Sequence, residues 1–205
     1  MTKQLVMLSN LLMAGSLLAG TAPSPAKGPA VPPMAPSAPV LSYNTIEIDW
    51  LHSEFDSPLL DSSDGVGAQL SYSPFDHIYL AAGGAWESIN SSDAWLANVG
   101  LGGFLHLSPN IDFVTEVGAA FYGISNGDVV DSDNDASAYV RPHFRARWGN
   151  FETHIGASWT NLDITNEWAG FARFYYGIME NVDLSAGISA GKDEYTINVG
   201  MRFRY

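Results

Sequence analysis

From Leu41 onward, apolar side chains recur at every second position through ten successive stretches, and no other feature of the chain restricts its fold as strongly. The last stretch shows the pattern plainly. Tyr195, Ile197, Val199, Met201, Phe203 and Tyr205 alternate with Thr196, Asn198, Gly200, Arg202 and Arg204. A period of two suits a strand with two unlike faces, whereas a helix would need apolar residues three and four apart. The pattern predicts strands at about 43–52, 65–73, 77–87, 93–106, 111–122, 137–147, 151–161, 168–178, 183–191 and 195–205. Short turns at Ser73–Asp76, Leu107–Asn110, Trp148–Asn150 and Met179–Asn181 alternate with mostly longer polar loops at Ser53–Asp64, Ser88–Ser92, Gly123–Ala136, Leu162–Glu167 and Lys192–Glu194. The expected fold is all-β: an up-and-down antiparallel β-barrel of about ten strands, with eight as the alternative count.

Charge decides which face points inward. The six arginines, Arg141, Arg145, Arg147, Arg173, Arg202 and Arg204, all fall on the face opposite the aromatic and aliphatic stripe. A basic residue aimed at mid-bilayer lipid costs roughly 2–4 kcal/mol, so a one-residue slip of the strand carrying three of them would forfeit several times that. Glu47, Asp49, Glu87, Asp112, Glu116, Glu152 and Asp183 share the arginines' parity. Six guanidinium groups and seven carboxylates therefore predict a lumen filled by paired charges. Tyr79, Phe104, Tyr122, Tyr139 and Tyr175 add bulk on the same face. Gly67, Gly83, Gly100, Gly102, Gly118, Gly156, Gly187 and Gly200 pull the other way and are expected to leave room for water. A soluble, lipocalin-like barrel would invert the two faces, and it gives no reason for aromatic residues to gather at strand ends.

They do gather there. Trp50, Trp86, Trp95, Trp159 and Trp168 stand near the long-loop ends; Phe113, Trp148, Phe151, Phe203 and Tyr205 stand near the short-turn ends. Amphipathic rings favour the headgroup level of a membrane. On these features the segment 41–205 resembles the small Gram-negative outer-membrane β-barrel families, whose barrels are porin-like. The resemblance implies short periplasmic turns, longer acidic extracellular loops, mature termini in the periplasm, and contact with outer-membrane lipid and lipopolysaccharide. The ending Met201-Arg202-Phe203-Arg204-Tyr205 looks like the C-terminal signal read by the barrel-assembly machinery, with Phe203 and Tyr205 as its aromatic residues.

The N-terminus fits that destination. Residues 1–22 carry Lys3 and then a mostly apolar run too short for a transmembrane helix, and they read as a signal peptide with a cleavage point as late as residue 26. An uncleaved anchor is the alternative. Residues 23–40 are rich in proline and alanine, which suits an extended periplasmic linker. A net charge of −13 argues against nucleic acid, and the absence of cysteine excludes disulfides, thiol nucleophiles and Cys-based metal sites.

Catalytic chemistry is thin. Asp76-His77 and His106-Leu107-Ser108 hold the residue types of outer-membrane proteases and lipid A deacylases, but both fall at the short-turn end, away from the outer rim. His154 and Ser158 share the lumen two strand steps apart, too far for a direct bond to be counted on. No catalytic residue and no cofactor is expected. The run Gly127–Asp135 spaces Asp131, Asp133 and Asp135 like the first half of a calcium loop but lacks the glycine and distal glutamate of that motif. Weak divalent-cation binding at the acidic loops is the metal reading it supports. The outer loops carry thirteen acids against one base, Lys192, a rim that repels anions. The function expected is non-enzymatic, structural or surface-interacting, with a largely plugged lumen. A narrow cation-preferring pore is the alternative, and an outer-membrane hydrolase a distant third.

Overall fold

A computed structural model describes residues 41–56, 62–89, 92–126, 134–161 and 166–205. Ten strands follow one another: β1 (Thr45–Phe55), β2 (Ser63–Phe75), β3 (Ile78–Ile89), β4 (Ser92–Ser108), β5 (Ile111–Asn126), β6 (Asn134–Trp148), β7 (Phe151–Asn161), β8 (Asn166–Met179), β9 (Val182–Ala190) and β10 (Glu194–Arg204). Each pairs antiparallel with its sequence neighbours, and β1 pairs with β10 to close the barrel. Closure leaves no open sheet edge, so every strand finds hydrogen-bond partners on both sides, as a bilayer demands.

The short turns keep the strands in register at one end. Phe75 pairs with Ile78, Trp148 with Phe151 and Met179 with Val182 across two-residue connections. Gly149 takes a φ of 59° in the second of these, a conformation that glycine adopts without strain. His77 takes a φ of 66° and therefore sits in the turn; β3 begins one residue later than the alternation suggests. At the opposite end several strands outrun the apolar pattern. β4, β5 and β6 have 17, 16 and 15 residues. A tilted strand needs about 9–11 to cross a bilayer. These three adjacent strands, the longest of the barrel, form its tallest wall. Hydrogen bonding, not hydrophobicity, carries the ladder past the membrane, which is why the alternation undercounts it.

The two faces are inside out relative to a water-soluble protein. On β1, Thr45, Glu47, Asp49, Leu51 and Ser53 are buried in the lumen, while Ile46, Ile48 and Trp50 point outward and are exposed. Outward Val66, Leu70, Leu80, Val99, Leu101 and Leu105 continue a band of apolar side chains around the barrel. Trp50, Trp86 and Trp168 are exposed toward the outer end and Phe75, Trp148, Phe151, Phe203 and Tyr205 toward the other. Such a surface cannot be solvated by water at acceptable cost, and it matches a lipid-facing belt with aromatic girdles.

The chain before β1 departs from expectation. Leu41 to Asn44 form no strand, although alternation extends the strand back to residue 43. Leu41 and Tyr43 are instead buried against Tyr79, Ala81, Phe104 and Val114 at the short-turn end of the lumen. Residues 1–40, with the expected signal peptide and linker, lie outside the described residues.

Candidate functional site

The interior polar network is the chemically distinctive part of the molecule. Strand parity brings its members together, because every second residue of each strand faces the bore. Glu47, Asp49, Glu87, Asp112, Glu116, Arg141, Arg145, Arg147, Glu152, Arg173, Asp183 and Arg202 are all buried. Arg204 lies at the rim, with its side chain 13% exposed.

Glu152 on β7 is the hub. Its carboxylate accepts from Arg145 Nε at 2.8 Å, from Arg202 Nη1 and Nη2 at 2.8 and 3.0 Å, and from Arg147 Nη1 at 3.4 Å. His154 Nε2 lies 2.6 Å from the same group. Arg202 also donates through Nε to Asp183 at 2.8 Å, and Arg204 reaches Asp183 at 3.1 Å. The Arg202 guanidinium stacks 3.7 Å from the centre of the Tyr175 ring. A planar fork that satisfies two carboxylates and a ring at once is what arginine supplies and lysine does not.

Two further clusters lie beside the hub. Arg173 pairs with Glu47 at 2.8 Å and with Asp49. Glu116 accepts from Arg141 at 3.2 Å, Tyr139 at 2.7 Å and Tyr79 at 3.1 Å. The second joins adjacent strands, since Glu116 on β5 stands opposite Arg141 on β6, with Tyr79 reaching in from β3; the first joins β8 to β1, which are not neighbours. The Cα register sets Glu47 opposite Arg202, so neighbouring strands put Glu47 and Asp49 within reach of Arg202 or Arg204. The side chains choose otherwise. Arg202 extends across the bore to Glu152, and Arg173 on β8 takes both β1 acids. In a narrow lumen a long guanidinium side chain reaches opposite walls as easily as the adjacent strand.

Tyr43 ties the pre-strand segment into this network. Its hydroxyl donates to Asp112 at 2.6 Å, and its ring stacks on Phe104 at 3.8 Å. Arg145 lies over the same ring and donates to the Ser42 carbonyl at 2.6 Å. Asp112 also meets His106 Nδ1 at 2.6 Å. Leu41 and Tyr43 lie on the inward parity, so their burial is readable, but alternation alone gives no sign that the strand stops short of them.

Three of the lumenal glycines lie directly against tyrosine rings. A Cβ at Gly102 would overlap the Tyr79 ring, and one at Gly100 or Gly118 would meet Tyr139. These glycines are recesses in the wall into which the aromatic side chains fit. At Gly100, Gly102 and Gly118 the expected space beside the rings is thus taken up by Tyr79 and Tyr139.

The histidines are spread over the barrel. His52 meets Asp64 at 3.1 Å near the outer rim, His77 occupies its turn, and His106 contacts Asp112 at the short-turn end. His143 lies 3.4 Å from the Arg141 carbonyl, and His154 is held by Glu152. Asp131 and Asp133 lie outside the described residues; Asp135, in β6, pairs along the backbone with Tyr122 of β5. Among the described residues no group of three or more His, Asp and Glu is placed to hold a metal.

No protein-family model matches the chain. No curated protein matches it either. Solved structures do. The β domain of the Bordetella autotransporter Brka superposes with a TM-score of 0.55 at 9% identity, over 78% of this chain and 98% of that one. The translocator domain of the autotransporter NalP from Neisseria meningitidis gives 0.47 at 11% identity, over 79% and 88%. The Yersinia pestis outer membrane protein Ail gives 0.43 at 11%, over 79% and 99%. At these identities a structural likeness speaks for the fold alone. With the closed antiparallel topology, the apolar outer belt and the charged interior, the fold is that of an outer-membrane β-barrel.

Proposed function

We propose that this chain is a non-enzymatic integral barrel of the bacterial outer membrane with a sealed lumen and a structural or surface-interaction role. The observation that supports the reading is the crowding of buried side chains in the short-turn half of the bore. The Glu152 hub, the Arg173 and Glu116 clusters and the Leu41–Tyr43 segment all lie there. An ion passing through would have to separate buried charge pairs. Breaking one such pair typically costs about 3–5 kcal/mol.

In this reading the short turns and both ends of the described chain face the periplasm, and the wall of β4, β5 and β6 projects from the cell. The acidic outer loops would meet lipopolysaccharide, with weakly held divalent cations bridging the phosphates. Phe203 is exposed toward lipid, and Tyr205 donates from its hydroxyl to the Ser71 carbonyl at 3.0 Å. That placement suits an ending read by the barrel-assembly machinery.

The test is salt efflux from liposomes holding the purified, folded barrel, with folding verified by heat-modifiable gel migration. Efflux no faster than from empty liposomes is expected. Rapid efflux through the wild type would overturn the sealed reading and favour a narrow pore.

A further inference from the structure

The lumen changes chemistry along its length. Toward the short-turn end six arginines face six carboxylates, Glu47, Asp49, Asp112, Glu116, Glu152 and Asp183. Two further buried carboxylates, Glu87 on β3 and Glu194 on β10, lie toward the long-loop end, and Glu87 stands apart from the arginines. Ser63 donates to its Oε2 at 2.5 Å, and Ser53 lies beside the same carboxyl group. Ser53 in turn shares a 2.8 Å hydrogen bond with Thr196. These four side chains converge from β3, β2, β1 and β10, and all are buried.

Glu87 Oε1 has no hydrogen-bond partner among the described residues. The nearest titratable groups are Asp64 and His52. His52 is itself engaged by Asp64 at 3.1 Å and Glu54 at 3.8 Å. No arginine or lysine among the described residues pairs with Glu87. An ionised carboxylate so placed has hydroxyl support but no counter-charge, an arrangement that costs several kcal/mol in an interior, as a rough order. Above it the rim carries Glu54, Asp56, Asp64, Asp93 and Asp193, which raises the cation concentration at the mouth.

We propose that Glu87, with the hydroxyls of Ser53, Ser63 and Thr196, forms a site for one small monovalent cation of sodium's class, entered from the outer mouth. The donor set fixes the class. Hard oxygen ligands suit a hard cation, and a single formal negative charge among neutral hydroxyls balances a single positive one. Calcium sites use about six to eight oxygens and several carboxylates, which this cluster does not provide. Binding there is independent of whether the inner half conducts.

The test is thermal unfolding of the barrel in detergent micelles, with sodium chloride titrated against choline chloride at constant ionic strength and pH. Choline is too bulky to enter. The wild-type midpoint is expected to rise saturably with sodium, and Glu87→Gln is expected to abolish that rise. Ser63→Ala keeps the carboxylate but loses one ligand, so its half-saturating sodium concentration should increase roughly 10-fold or more. Equal wild-type midpoints in the two salts overturn the site. So does an undiminished sodium response in Glu87→Gln, which would assign the effect to the outer loops. A Glu87→Gln barrel with the wild-type midpoint in both salts also overturns it, because a carboxyl group that already holds a proton loses no charge on replacement by the amide. Should Glu87→Gln fail to fold, an unchanged half-saturation in Ser63→Ala is sufficient to reject the proposal.

Discussion

Replacing Glu152 with glutamine tests the energetic core of the lumen at its most connected point. The wild-type carboxylate serves Arg145, Arg147, Arg202 and His154 together. Glutamine preserves the shape but removes the charge, and its amide can accept on one oxygen only. Arg202 retains Asp183 at 2.7 Å, so its loss is partial. Arg145 is affected strongly, because it keeps the Ser42 carbonyl and the face of Tyr43 but loses the charge of its 2.8 Å partner. Removing one partner of a buried ion pair typically costs about 3–5 kcal/mol. For a chain of this size each kcal/mol moves the unfolding midpoint by about 2–4 °C, so the expected drop is roughly 6–20 °C. Heat-modifiable gel migration and tryptophan fluorescence in micelles would both report it. The rim pair Lys192–Asp193, with the lysine 77% exposed, provides the control. Asp193→Asn should cost no more than about 1 kcal/mol. If Glu152→Gln falls within that same range, the lumen is wet enough to screen its charges, and the argument from buried pairing fails.

Other perturbations probe other parts of the account. Gly102→Val would drive a side chain into the Tyr79 ring and should lower stability by about 1–3 kcal/mol, an effect relieved when Tyr79→Ala is added; thermal melts of the two single variants and the double variant decide it. Ile48→Arg sets a guanidinium on the lipid face, 54% exposed in wild type, and should cost about 2–4 kcal/mol in denaturant unfolding from bilayers. Deletion of Tyr205 removes both its backbone bond to Asn44 and its hydroxyl bond to Ser71, and the yield of folded barrel in cells should fall. A normal yield would argue against an assembly role for that residue.

Much of this architecture is legible in the sequence because the side-chain period in a strand is exactly two. Parity alone places Arg141, Arg145 and Glu116 inside and Ile46, Ile48 and Trp50 outside, and the cost of a charge in lipid resolves which face is which. Parity carries no information about distance across the bore. Glu47 and Arg202 are neighbours along the ladder, yet each pairs elsewhere, because packing in a closed cross-section determines the partners. The fit of Tyr79 against Gly102 is hidden for a similar reason, since the two residues come from adjacent strands whose register fixes the contact. Leu41 and Tyr43 keep the inward parity of β1, so the pattern cannot show that the backbone leaves the ladder and turns into the lumen. The extension of β1, β5 and β6 at the long-loop end is missed because backbone pairing continues where hydrophobic alternation has ended.

The sealed lumen is the central claim, and single-channel recording in planar bilayers tests it most directly. The purified, folded wild-type barrel should give no discrete current steps in symmetrical potassium chloride, while Tyr43→Ala, which empties the space stacked on Phe104, should be the first variant to leak. Steady cation-selective steps from the wild type, with Tyr43→Ala no different, would contradict the account and make the barrel a pore.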